Sequence, residues 1–202
     1  MRAFIYDGVM VGLTRSWYAA VLSRVPVGSK ILDVGVGTGG ALVTQADLIR
    51  SRDLRITGVD IDEDYLRTCR ARVEQAGLAD RVQALNISVY DYQETGFDAV
   101  YFACSFMLLP DPVGALRHVG GLLRPGGRVY FTQTFQERRS PLLETAKPLL
   151  HRLTTIHFGK VTYEADFFKT LDDGGYEVLE HTRMGGGAAR TFRLVEAAPR
   201  QG

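Results

Sequence analysis

The run Ile31-Leu32-Asp33-Val34-Gly35-Val36-Gly37-Thr38-Gly39-Gly40 constrains this chain more than any other stretch. Ile31 to Val34 read as a short buried strand, helical periodicity resumes at Ala41, and four glycines fall within the six residues from Gly35 to Gly40. A strand that passes through a glycine turn straight into a helix is the opening unit of an open parallel α/β sheet. Glycine there lets the backbone take positive φ and lets a flat ligand approach without a Cβ in the way.

Two ligand classes use such a turn. Gly35, Gly37 and Gly40 satisfy G-x-G-x-x-G, the dinucleotide fingerprint, in which a pyrophosphate sits at the N-terminus of the following helix. Asp33, immediately before the glycines, would repel that anion, whereas beside a sulfonium and an ammonium group it would attract. The carboxylate therefore turns the reading from NAD toward S-adenosylmethionine (SAM). Arg55 to Asp60 look like a second strand ending in an acid, 27 residues after Asp33, where a carboxylate can accept hydrogen bonds from both ribose hydroxyls. That acid suits any adenosyl ligand. Leu122-Leu123-Arg124-Pro125-Gly126-Gly127 closes a helix and turns into a strand over Arg128 to Thr134.

These segments resemble the class I SAM-dependent methyltransferases. Leu32 to Gly39 is similar to their first motif and Val59-Asp60 to their ribose-binding acid. Phe97-Asp98-Ala99-Val100 is similar to their fourth strand, and Leu123 to Gly127 to the turn before their fifth. The motifs keep the family's order over residues 29 to 135, and the nearest flavour is the small-molecule branch that includes the quinone and sterol C-methyltransferases. The resemblance implies a Rossmann-like, doubly wound α/β three-layer sandwich whose seven-stranded, mostly parallel sheet ends in an antiparallel C-terminal hairpin. It also implies SAM as cofactor. It assigns the cofactor contacts to Asp33, Gly35, Gly37, Gly39, Asp60 and Ile61, with Ala103 beside the methionine part. The family often has an acid after the third strand, but this chain reads Asn86-Ile87-Ser88-Val89-Tyr90-Asp91. Asn86, Ser88 or a backbone amide is left for the adenine.

A chain of 202 residues fits one domain. We divide it into N-terminal lid helices (1–25), a cofactor-binding core (29–135), an acceptor-site insertion (135–162) and a C-terminal helix and hairpin (163–202). The two extra segments read as a lid over the carboxyl ends of the strands, or else as surface-packing helices. Within the core, Leu42, Ala46 and Ile49 share a face of the helix after the glycines, and Leu66, Cys69, Val73 and Ala76 a face of the next. Asp111-Pro112 reads as an N-cap with proline at the first helical position.

A net charge of +1 gives no electrostatic footprint for nucleic acid. No run approaches a membrane span, and Asp7, Arg15 and Arg24 interrupt any signal-like stretch. Two scattered cysteines offer no disulfide framework. The expectation is a cytoplasmic monomer or homodimer without integral membrane association. Clustered carboxylates at metal spacing are missing, so the expected chemistry is metal-free transfer to a small, partly apolar organic acceptor. Should the acceptor need to lose a proton, Tyr6, Tyr18, His151, His157 and Tyr163 are the candidate bases. Arg138, Arg139, Lys147, Arg152 and Lys160 would steer an anion or a membrane surface, or form a solvated face. Two rival readings stand beside this one: an NAD(P)-dependent oxidoreductase, and a non-catalytic methyltransferase-like protein that binds SAM or a partner.

Overall fold

The computed structural model describes residues 14–136, 162–187 and 190–200. Seven strands form one sheet: β1 (Lys30–Val34), β2 (Arg55–Asp60), β3 (Val82–Asn86), β4 (Phe97–Ala103), β5 (Leu123–Gln136), β6 (Tyr176–Gly186) and β7 (Arg190–Pro199). Their order is β3-β2-β1-β4-β5-β7-β6, with parallel pairing from β3 through β5 and antiparallel pairing of β7 with both β5 and β6. The C-terminal hairpin is present, but its second strand inserts beside β5 and its first strand becomes the edge. Strand β7 alone runs against the rest.

Helices cover both faces, as a parallel sheet requires. On one side lie α1 (residues 14–24 of it described), α2 (Gly40–Val43), α3 (Ala46–Ser51) and α4 (Glu63–Gln75). On the other lie α5 (Pro112–Leu122) and α6 (Glu164–Asp173). The period-2 alternation of β1 feeds both cores: Ile31 joins Val21, Leu22, Ile49 and Leu66, while Leu32 and Val34 join Val100, Phe102, Leu116 and Phe167. Asp33 follows Ile31 onto the α1 face. No described helix is long and apolar enough to cross a membrane.

The cap read from sequence forms as expected. The Asp111 side chain accepts from the Gly114 N–H at 2.9 Å with Pro112 at the helix start. The structure adds a second cap, Asp62, which accepts from the Asp64 and Tyr65 N–H groups at the start of α4. Asp111→Ala should cost about 1 kcal/mol, a fall in Tm of about 2–4 °C in a melt followed by circular dichroism.

Three details depart from the sequence reading. The helix after the glycines breaks at Thr44-Gln45, because Gln45 is drawn inward and its Nε2 donates to the Arg15 carbonyl at 3.0 Å. Strand β5 begins at Leu123, not Arg128: Leu123 already pairs with Phe97, and the Pro-Gly-Gly turn becomes a bulge before Arg128 pairs with Ala99. Helix α1 belongs to the core layer, with Trp17, Tyr18, Val21 and Leu22 buried against the sheet. The rest of the expected lid, residues 1–13 and 137–161, lies outside the described residues.

Candidate functional site

Strands β1, β2 and β4 end side by side at the carboxyl edge of the sheet, where open α/β sheets hold ligands. The glycine turn leaves β1 under tight backbone control. Gly35 N–H donates to the Val59 carbonyl at 2.8 Å, Gly39 N–H to Val36 at 3.1 Å, and the Ser105 hydroxyl to the Val34 carbonyl. Arg72 on α4 donates to the Thr38 hydroxyl at 2.7 Å and steadies the outer bend.

Gly35, Gly37 and Gly39 all take positive φ, at 77°, 56° and 66°, but for different neighbours. A Cβ on Gly35 would lie 2.6 Å from the Ser105 Cβ, and one on Gly39 would lie 2.6 Å from the Cys69 sulfur. A Cβ on Gly37 would meet nothing within 4 Å. Two of the glycines thus serve packing, and the middle one borders open space. Asp60, at the end of β2, accepts from the Gly37 N–H at 2.9 Å and from the Asp62 N–H at 3.0 Å. Each carboxylate oxygen keeps a second lone pair for another donor.

Asp33 is 1% exposed. Its strand neighbours in register are Gly58, which has no side chain, and Tyr101. One oxygen accepts from the Tyr18 hydroxyl at 2.7 Å, and the other, Oδ1, has no hydrogen-bond partner. Burial pushes this carboxyl up to about 7, the Tyr18 bond pulls it down, and the nearby Asp60 charge pushes it up again. A buried oxygen without a donor is costly unless something supplies one. Beside a glycine turn, a cationic ligand group would supply one, and the ammonium of SAM fits this acceptor.

The remaining candidates surround this centre unevenly. Ile61, directly after Asp60, is 79% exposed at the rim. The Asn86 side-chain amide donates to the Asp60 main-chain carbonyl at 3.2 Å, and the half-buried Ser88 hydroxyl accepts from the Tyr90 N–H at 3.3 Å. Ala103 closes β4 and is half-buried. Cys104 follows in the left-handed region at φ 59°, and burial pushes its thiol up to about 11, which suits a structural role rather than a nucleophile.

Of the candidate bases, Tyr18 is buried with its proton committed to Asp33, and burial and the Asp33 charge push its phenol well above the usual range. That placement does not suit a base. Tyr163 caps α6 half-buried and bridges to Gln136. Tyr6, His151 and His157, with the basic residues between 138 and 160, lie outside the described residues. His118 bonds the Tyr92 carbonyl at 2.8 Å, away from the cradle. The Tyr18–Asp33 pairing escaped the sequence reading; its one signal was the apolar spacing of Trp17, Tyr18, Val21, Leu22 and Val25, which turns Tyr18 toward the sheet.

A family profile described as a methyltransferase domain matches residues 31–127, from β1 through the turn inside β5. Phosphatidylethanolamine N-methyltransferase of Cereibacter sphaeroides is 27% identical over 82% of this chain and 78% of its own length. A ubiquinone biosynthesis O-methyltransferase of Idiomarina loihiensis is 34% identical, over 57% of this chain but only 46% of its own. Among solved structures, the [4+2]-cyclase SpnF superposes with a TM-score of 0.74 at 18% identity, covering 93% of this chain and 82% of that one. This last likeness concerns the fold alone. The oxidoreductase reading, left open by the literal glycine spacing, gives way to the domain match and to the relatives' named activity. Over residues 31–127 the chain matches the methyltransferase domain, and it is similar to the SAM-dependent methyltransferases, enzymes that draw a methyl group from S-adenosylmethionine.

Proposed function

We propose that this enzyme moves a methyl group from SAM to a small, partly apolar organic acceptor by metal-free, in-line transfer. The observation that carries the reading is the unpartnered Asp33 Oδ1, buried beside the glycine turn. When bound, SAM supplies a methyl group on a sulfonium that is already a good leaving group, so the protein's main task is alignment.

The chain's own residues supply that alignment. Asp33 takes the ammonium, and Asp60 takes the ribose hydroxyls with the lone pairs left over from Gly37 and Asp62. Ile61 offers an exposed apolar face to the adenine, and Asn86 or Ser88 a polar edge. The turn at Gly37 gives the ligand backbone contact, and Ala103 lies beside the methionine portion. The acceptor side is assigned to residues 1–13 and 137–161, which lie outside the described residues, since α1 belongs to the core layer. Any proton lost by the acceptor falls to Tyr6, His151, His157 or Tyr163, since Tyr18 is engaged with Asp33.

The relatives' names, one for N- and one for O-methylation, support a small organic acceptor and differ in the atom methylated. The two cysteines, both free, suit a reducing, cytoplasmic setting, and the same reading has the enzyme acting as a monomer or homodimer, without nucleic acid.

Transfer from methyl-labelled SAM to a panel of phenols, quinols and amines tests the reaction. Protein-dependent label in a small product supports the reading. Tight binding of S-adenosylhomocysteine (SAH) with no transfer to any acceptor would favour the non-catalytic alternative. Asp60→Ala should raise the Kd for SAH at least about tenfold by calorimetry, because it removes a charged acceptor and frees the Gly37 N–H.

A further inference from the structure

The family match begins at residue 31, yet the Asp33 carboxylate depends on a side chain that precedes it. Tyr18 sits on α1, and three contacts hold it there independently of any ligand. The neighbouring Trp17 ring packs on Phe192 of β7 with centroids 5.5 Å apart. Gln45 anchors the Arg15 carbonyl one turn earlier. The Tyr18 ring itself meets Tyr101 edge-on at 5.0 Å, and Tyr101 is fixed in turn by its hydroxyl bond to Thr132 at 2.8 Å. The phenol therefore reaches Asp33 from a rigid frame.

We propose that Tyr18 is the positioning residue of Asp33: its O–H takes one carboxylate oxygen, locks the side chain, and leaves Oδ1 as the anionic contact for the cofactor's ammonium group. The inference rests on the cofactor reading above and extends it outside the family's motifs. Without the bond the carboxyl would be free to turn, and its ionised form would lose its only hydrogen-bond donor among the described residues.

The arrangement also ties cofactor affinity to pH. The titratable groups around Asp33 are Tyr18 from α1, Tyr101 from β4, Cys69 from α4 and Asp60 from β2. Burial pushes both tyrosines well above their usual range and the Cys69 thiol up to about 11, so near neutrality these three stay uncharged. Asp60 adds a negative charge that opposes ionisation of Asp33, and Tyr18 alone among them donates to it. A cationic ligand needs the carboxylate, so affinity falls as pH drops through the value at which free Asp33 takes up its proton. Tyr18 holds that value down.

The test is SAH calorimetry from pH 5.5 to 8.5 on the whole protein, with Tm recorded for each variant. The acid limb of the wild type should centre near 7. In Tyr18→Phe the limb should move upward by about one in pH, with affinity at pH 7 lower by about fivefold and at pH 5.5 by about tenfold. Replacing Tyr18 by 3-fluorotyrosine, an isosteric and more acidic donor, should move it the other way. A folded Tyr18→Phe whose limb stays in place overturns the proposal, as does a fluorotyrosine protein with no downward shift should Tyr18→Phe fail to fold. If the wild type binds no SAH at any pH, it is the cofactor reading that fails.

Discussion

Asp33→Asn should cripple cofactor binding while making the ligand-free protein harder to unfold at alkaline pH. The two effects have one origin, a carboxyl group 1% exposed with one oxygen lacking a partner. In the folded chain burial holds it at about 7, against an ordinary value of 3.8. A group raised in this way favours folding fully below its unfolded value, and that contribution is lost as pH rises through the folded one. Above pH 7 the buried, ionised carboxylate therefore costs the ligand-free protein on the order of 4 kcal/mol. Asparagine removes the ionisation and can still accept from Tyr18, so Tm should rise at pH 8 and hardly change at pH 4. Binding moves in the opposite direction, because the anionic partner of an ammonium group is gone. A loss of about a hundredfold in SAH affinity is expected for breaking a buried charge pair. Equal Tm values for variant and wild type at pH 8 would mean that Asp33 is solvated and carries no strain.

The second large effect separates two glycines that look alike in the sequence. Gly37→Ala and Gly39→Ala both place a Cβ on left-handed backbone, at a strain of about 1–2 kcal/mol. At Gly37 the new carbon meets nothing within 4 Å, so the protein should fold with modest loss and fail in SAH binding, where the backbone must be approached closely. At Gly39 the carbon would lie 2.6 Å from the Cys69 sulfur, in the seam between α2 and α4. Overpacking adds about 1–3 kcal/mol there, enough to lower Tm by several degrees. Removing the sulfur with Cys69→Ala should recover part of the Gly39→Ala loss and none of the Gly37→Ala loss. This double-mutant cycle reads the contact directly. Rescue of Gly37→Ala by the cysteine change would show that the two glycines are not divided in this way.

Local signals carried most of the core. The fourth strand, Phe97–Ala103, begins at the Phe97 its motif indicates, and Asp111 caps the helix that Asp111-Pro112 marks. The glycine turn and the acid at Asp60 were legible because few backbones other than a ligand-facing turn concentrate glycine after a buried strand. What escaped depends on partners distant in the chain. The break at Thr44-Gln45 arises from a bond to Arg15, 30 residues earlier, and nothing in the Leu42, Ala46, Ile49 spacing signals it. Strand β5 starts early because Phe97 is there to pair with Leu123. The residue type of Tyr18 suggests a base, yet the carboxylate 15 residues away makes it a hydrogen-bond donor. The site's chemistry was thus visible as residues, while the role of each was set by tertiary contacts.

A calorimetric titration of the purified protein with SAH and, separately, with NADH tests the role of Asp33 most directly. One SAH site per chain is expected, with a Kd of about micromolar order, weakened by Asp33→Asn, and no heat from NADH. Binding of NADH alone, or SAH binding indifferent to Asp33→Asn, would contradict the role given to the buried carboxylate.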